Sequence, residues 1–150
     1  KLLRRMKNTV KFFLLIGMLF PSYLFAQTRC DTLGDIVKGM LNENNETFYS
    51  NGQSYKYFLS EDEHTEIVTT LYEGTTYRIA TSAGLEDNYM IFELLDRDRN
   101  LLYTNADFKN APYWDFEIEN TIECIIEAKL DPNKKLDGCA QLIIAFKKAN

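Results

Sequence analysis

The side chains that could do acid–base or metal chemistry fall into two short acidic segments. The first holds five such residues between two predicted strands, namely Glu61, Asp62, Glu63, His64 and Glu66. Paired carboxylates could serve as a general acid and base, or could bind a metal together with the single histidine of the chain. A solvated loop explains the same segment without any ligand, and this is the interpretation that we favour.

The second acidic segment has the ligand spacing of a calcium-binding loop. Asp96, Asp98 and Asn100 match the first three ligands, and Asp107 falls at the twelfth place. Leu101, however, stands at the sixth position, where such a loop requires Gly, and Asp is shorter than the usual bidentate Glu. We therefore predict a polar hairpin turn and no cofactor, with calcium at Asp96, Asp98 and Asn100 as the alternative.

The residue inventory also limits other catalytic chemistry. One His and three Cys are too few for a zinc cluster, and a Ser/His/Asp triad could use only His64. Cys124 lies in an apolar segment between Glu123 and Glu127, whereas a catalytic thiolate needs a basic and partly exposed setting. We therefore expect a protein that is not an enzyme, with a small carboxylate-dependent hydrolase as the alternative.

Aromatic residues are more numerous than the core of a small sandwich requires, since the chain has 9 Tyr, 10 Phe and 1 Trp. Exposed Tyr and Trp rings on a rigid sheet suit peptide and sugar binding, because a flat ring buries a large area with little loss of rotamer freedom. Most of these rings should pack in the core or at sheet edges. The candidates for a ligand patch are Tyr55 and Tyr57, which share one strand face, and Tyr113 with Trp114.

The first 26 residues differ in charge from the rest of the chain. They hold five basic residues and no acidic one, whereas residues 27–150 carry 12 basic and 22 acidic residues and a net charge of −10. A surface of that charge repels phosphate backbones, so we expect no nucleic-acid partner.

The same 26 residues have the order of a secretory signal peptide. A basic stretch (1–11) precedes an apolar run (12–20) and a cleavage region (21–26), with the preferred cut after Ala26 and Met6 as the natural start. The apolar run is shorter than the ~20 residues of a spanning helix, so we expect no stable membrane span after cleavage. Lipidation of Cys30 is disfavoured because Arg29 precedes it. These features predict a periplasmic or secreted protein.

Residues 27–150 predict a single domain that begins with a short amphipathic helix. Its apolar stripe repeats at helical spacing, and comprises Leu33, Ile36, Val37, Met40 and Leu41. Asp31 or Thr32 is placed to cap the start of the helix, and residues 42–45 end it. Eight short strands follow, predicted at 54–60, 65–72, 75–82, 89–96, 100–104, 113–119, 121–130 and 139–147.

Turn residues and alternation predict how these strands are arranged. Glu73-Gly74 and residues 96–100 are expected to form hairpin turns, and residues 131–133 to open the last loop. Eight antiparallel strands predict a mainly β fold, a jelly-roll-like β-sandwich. Inward positions are expected for Trp114, Phe116, Ile118, Ile122, Cys124, Ile126, Ala128, Leu130, Leu142, Ile144 and Phe146.

The last two strands also have apolar residues on their outward face. If they form a hairpin, Ile125, Ile143 and Ala145 share this face and must be buried by another element. We therefore predict that the helix packs there. Cys139 has the same outward parity, which favours a disulfide from Cys30 to Cys139 and leaves Cys124 as a buried free thiol. A bridge from Cys30 to Cys124 and the absence of any bridge stay open.

Two segments resemble a known family. LYEGTTYRIA (71–80) and FELLDRDRNLLYTN (92–105) resemble the pattern of pre-peptidase C-terminal-type jelly-roll domains over residues 65–130. The whole chain is similar to small secreted proteins of Bacteroidetes. The resemblance implies a non-catalytic binding or stability domain, so we expect an exported module that binds a protein, peptide or glycan at the cell envelope. A structural subunit of an envelope assembly is a further alternative.

Overall fold

The computed structural model of the chain describes residues 24–84 and 88–148. Helix α1 (Leu24–Gly39) continues into a 3₁₀ turn (Met40–Asn45), and a second 3₁₀ turn (Asn105–Phe108) follows the fifth of eight strands. The strands are β1 (Tyr49–Leu59), β2 (His64–Leu71), β3 (Thr75–Ser82), β4 (Met90–Asp96), β5 (Leu101–Thr104), β6 (Tyr113–Ile118), β7 (Ile122–Leu130) and β8 (Gly138–Lys148). Within these ranges, no helix has both the length and the apolar character needed to cross a membrane.

The strands form two four-stranded antiparallel sheets. Sheet A has the order β1-β8-β3-β6, and sheet B has the order β2-β7-β4-β5. This arrangement confirms the mainly β antiparallel sandwich with one helix. The predicted signal peptide lies mostly in residues 1–23, outside the described ranges, so it stays a prediction.

The turn prediction is right at one position and wrong at another. Residues 96–100 form a hairpin between β4 and β5, closed by a hydrogen bond of 3.0 Å from the Asp96 N–H to the Asn100 carbonyl. Glu73-Gly74, in contrast, carries the chain from β2 in sheet B to β3 in sheet A. Gly74, with φ of 72°, donates its N–H to the Ile118 carbonyl of β6 at 2.9 Å. The glycine therefore indicates that the chain turns here. It does not indicate whether the two strands that flank the turn pair with each other.

The core between the sheets follows the predicted alternation. Cys124, Ile126, Ala128 and Leu130 are buried in it, together with Leu142 and Ile144 of β8. Trp114, Phe116, Ile118 and Ile122 are half-buried against the same cluster. Phe146 differs, since it has the inward parity but is exposed at the end of β8.

Helix α1 and the 3₁₀ turn after it cover the outer face of sheet A. Val37, Met40 and Leu41 are buried there against Ile143 and Ala145, as predicted. The placement of Ile125 under the same helix is wrong, because β7 belongs to sheet B and does not pair with β8. The described part of the helix already includes Leu24, so neither Asp31 nor Thr32 caps its start; residues 24–30 hold no Gly or Pro to stop it.

The cysteines agree with the prediction as far as they are described. Cys124 is a buried free thiol, and burial raises its pKa to about 11. The side chain of Cys30 lies outside the described residues. Its pairing with Cys139 therefore stays a prediction.

Candidate functional site

The two pairs of aromatic residues predicted as ligand-binding candidates pack against other parts of the protein. Tyr55 and Tyr57 face the inside of the sandwich and are half-buried against its core. Tyr113 and Trp114 point to opposite faces of sheet A, because they are consecutive residues of one strand. Tyr113 packs on the helix-covered side, whereas Trp114 packs against the core.

Trp114 belongs to an aromatic cluster that closes the gap between the edge strands β5 and β6. Its ring lies 4.3 Å from the ring of Phe108 and 5.2 Å from that of Tyr103, centroid to centroid. Tyr103 also meets Phe116 edge to face at 5.0 Å. Burial, and to a smaller extent the charge of Asp107, raises the pKa of the Tyr103 phenol. These contacts join the two sheets, so the cluster serves packing.

A different aromatic set is exposed at one end of the sandwich. Four aromatic residues lie in register across all four strands of sheet A, on its inner face: Tyr49 pairs with Phe146, Phe146 with Tyr77, and Tyr77 with Phe116. Paired residues of neighbouring strands point to the same face and have Cβ atoms about 5 Å apart. The row is half-buried at Tyr77 and Phe116 but exposed at Phe146 (37%) and Tyr49 (64%).

Tyr72, which follows the last residue of β2 in sheet B, contacts this row through its backbone. Its backbone N–H donates to the Tyr77 hydroxyl at 3.2 Å, and its own side chain is 60% exposed. We call Tyr49, Tyr72, Tyr77 and Phe146 the aromatic ledge. Its exposure shows that sheet B leaves this corner of the inner face uncovered.

Two acidic loops border the aromatic ledge. The loop between β2 and β3 holds Glu73, and the turn between β6 and β7 holds Glu119, both exposed. The loops touch each other, since the Glu73 N–H donates to the Thr121 hydroxyl at 3.1 Å. The ledge therefore combines exposed rings with two neighbouring loops that each carry a glutamate.

The first acidic segment is part of an ion-pair network rather than a pocket. His64, Glu66 and Glu127 bring ligand atoms within 4.8 Å of one another. Arg99, however, lies between the carboxylates, with Nη2 2.6 Å from Glu66 and 3.2 Å from Glu127. Its hydrogen bond to Glu66 is the main cause of the lowered pKa of that carboxyl. An arginine thus holds the position that a cation would take.

The other carboxylates of that segment form the turn between β1 and β2. Glu63 accepts a hydrogen bond from the Ser60 N–H at 2.9 Å, and Glu61 and Asp62 are exposed. The sequence interpretation missed Glu127 and Arg99, because the pairing of β2 with β7 brings Glu127 here and the turn between β4 and β5 brings Arg99.

In the second acidic segment, Asp96 uses both carboxylate oxygens within the turn. They accept hydrogen bonds of 2.8 Å from the N–H and from the side-chain amide of Asn100. These hydrogen bonds, the side-chain one first, lower the Asp96 pKa. Asp98 is exposed beside them. Asp96 and Asn100 therefore hydrogen-bond to each other within a polar turn.

A buried ion pair on the outer face of sheet A also escaped the sequence interpretation. Arg78 is 1% exposed, and its guanidinium contacts both oxygens of Asp115, at 2.6 and 2.7 Å, and the Met40 carbonyl at 2.7 Å. It lies between the rings of Phe48 and Tyr113, 4.1 and 4.3 Å from their centroids. Although burial opposes the charge, Asp115 raises the Arg78 pKa.

At the end opposite the aromatic ledge, a shallow cleft lies between the end of β3, the start of β4 and the loop before β6. Its described lining includes Ser82, Asn88, Tyr89 and Asn110. Asn110 donates to the Asp131 carboxylate at 2.7 Å and to the Asn88 carbonyl at 3.2 Å. Hydrogen bonds between loops therefore occupy the polar groups at this end.

Comparison with known proteins finds likeness only at the level of structure. No protein-family model matches the chain, and no curated protein matches it. Among solved structures, it is similar to PliG of Aeromonas hydrophila, described as a periplasmic lysozyme inhibitor of g-type lysozyme. That match has a TM-score of 0.49 and 8% sequence identity, and it covers 63% of this chain and 85% of that one.

Proposed function

We propose that the chain is an exported, non-catalytic binding module of the bacterial cell envelope, and that its ligand is a protein or peptide. The observation that carries this proposal is the aromatic ledge. It is an ordered surface, because strand pairing fixes the backbone of Tyr49, Tyr77 and Phe146. It is also exposed at Tyr49, Tyr72 and Phe146.

The chemistry of the ledge suits contact with a polypeptide. Tyr and Phe rings supply large contact areas at a small cost in conformational entropy, and such anchors supply much of the affinity of protein interfaces. Adjacent strands place the rings about 4.8 Å apart, which makes a continuous strip rather than isolated contacts. Phe146 has no polar group to offer a sugar hydroxyl, so an apolar side chain of a polypeptide fits this strip better than a glycan does.

Charge indicates which polypeptides would be attracted. Residues 27–150 carry a net charge of −10, and Glu73 and Glu119 border the ledge. Such a field accelerates encounter with basic partners and weakens as salt rises. We therefore expect a basic protein or peptide ligand.

The experiment compares capture by the purified chain and two variants from a bacterial envelope extract. Tyr49→Ala combined with Tyr72→Ala removes the two most exposed rings of the ledge. Phe58→Ala is the matched control, since Phe58 is 67% exposed at the other end of β1, on the opposite face of sheet A. We expect the original chain and the Phe58 variant to capture the same proteins. The ledge variant should fail to capture them.

Binding of each captured protein is then measured by calorimetry at low and high salt. We expect the ledge variant to weaken binding at least about tenfold, and higher salt to weaken it further. The proposal would be refuted if Phe58→Ala weakened binding as much as the ledge variant does. It would also be refuted if the ledge variant still captured the same proteins. A glycan array run in parallel detects the other ligand class, and glycan binding that depends on Tyr49 and Tyr72 would also refute it.

A further inference from the structure

The outer face of sheet B carries an aliphatic row that reaches both sheet edges. Val68 pairs with Ile125, Ile125 with Leu95, and Leu95 with Leu101, so the row crosses β2, β7, β4 and β5. Leu95 is buried and Ile125 is half-buried, whereas Val68 is 78% exposed. Among the described residues, helix α1 covers sheet A, and no element covers this row.

Strand β2 ends this row at an open edge. It is the terminal strand of sheet B and has β7 as its neighbour, so its outer side presents unpaired N–H and C=O groups. The strand is eight residues long and regular along its whole pairing with β7. It has neither proline nor lysine, residues that often protect an edge, and Glu66 is its one acidic residue.

We propose that two copies of the chain pair through β2, antiparallel about a two-fold axis at Val68. In this register, Val68 of one copy faces Val68 of the other. The aliphatic rows of the two sheets then join into one row across an eight-stranded sheet. An antiparallel pair of identical strands closes after two copies, as an isologous interface does.

Charge and the aliphatic row favour this register over those centred on Glu66 and on Ile67. With Val68 facing its own copy, Glu66 of one chain lies opposite Thr70 of the other, and Ile67 lies opposite Thr69. A register centred on Glu66 would place two carboxylates directly opposite each other, which is destabilising. A register centred on Ile67 would place Glu66 against Val68 and break the aliphatic row.

The other described sheet edges are less suited to pairing. Strand β5 spans four residues, and β1 has a register shift between Ser50 and Ser54 and carries an exposed Lys56. Strand β6 carries Asp115 and Glu117. Bulges and charged side chains of this kind protect edges. The edge of β2 is therefore the one that fits a second copy.

The test measures the oligomeric state of the purified chain by sedimentation over a range of concentrations. We expect a concentration-dependent dimer, since one strand pair buries less than the ~1,600 Å² of a standard interface. Val68→Lys should raise the dimer dissociation constant at least about tenfold, because it sets two like charges opposite each other. Leu136→Lys is the matched control, as Leu136 is also an exposed aliphatic residue but lies in the loop before β8.

Cross-linking reports the register independently of affinity. Under mild oxidation, Val68→Cys should form a disulfide-linked dimer, and Thr70→Cys should not. A mixture of Thr70→Cys and Glu66→Cys chains should cross-link to each other. A chain that stays monomeric at every concentration, a dimer that Val68→Lys leaves unchanged, or equal cross-linking by both single variants would overturn the proposal.

Discussion

Arg78 of β3 and Asp115 of β6 form a bidentate ion pair beneath the 3₁₀ turn that follows α1. Both oxygens of Asp115 accept from the guanidinium, at 2.6 and 2.7 Å. The remaining amino group donates to the Met40 carbonyl at 2.7 Å. One buried side chain thus joins two strands of sheet A to the segment that covers them.

Replacing Asp115 with Asn should lower the free energy of unfolding by about 3 kcal/mol, because it leaves a buried guanidinium without its main counter-charge. Chemical denaturation of both proteins at neutral pH measures this difference. Glu123→Gln is the control, since Glu123 pairs with the exposed Arg97 and surface pairs contribute about 0 to 1 kcal/mol. Equal losses in the two variants would show that the Arg78 pair is no stronger than a surface pair.

The strands were predictable from the sequence because alternation and turn residues are local signals. The predicted ranges of β3 and β7 lie within a residue of the observed ones. Which strands pair is a different question, since it depends on contacts between distant segments. Glu73-Gly74 illustrates the limit, because the same turn chemistry serves a hairpin and a crossing between sheets.

The site was harder to predict than the fold for the same reason. Tyr49 and Phe146 are far apart in sequence, and only the register of β1 with β8 makes them neighbours. The alternation that placed Phe146 inside the sandwich was right about its face, but it could not show that sheet B leaves this corner uncovered. Nothing in the local sequence marks Arg78, since its partners Asp115 and Met40 come from other elements.

Asp131 should stabilise the fold at neutral pH and lose this contribution in acid. Burial acts to raise the pKa of this carboxyl, but hydrogen bonds from the backbone and side chain of Asn133 and from the side chain of Asn110 hold it below its usual value. A carboxyl with a lowered folded-state pKa stabilises the fold above the unfolded-state pKa of about 3.9, and this contribution disappears as the pH falls through the folded-state value.

Asp131→Ala should therefore cost about 1 to 2 kcal/mol at neutral pH, and the difference from the original chain should shrink below about pH 4. Denaturation curves at a series of pH values measure it. Asp62→Ala, in an exposed turn, should change stability by less than about 0.5 kcal/mol at every pH. A cost for Asp131→Ala that stays constant down to pH 2 would contradict the assignment.

Thiol labelling tests the predicted cysteine pairing. Cys124 is buried, and its pKa of about 11 keeps it protonated at pH 8, where a thiolate fraction on the order of 0.001 makes alkylation slow. If Cys30 and Cys139 are bridged, the native chain should take up almost no label, and the unfolded chain one label at Cys124. The unfolded and reduced chain should take up three. Mass spectrometry counts the labels and peptide mapping locates them, so a label on Cys30 or Cys139 without reductant would contradict the predicted bridge.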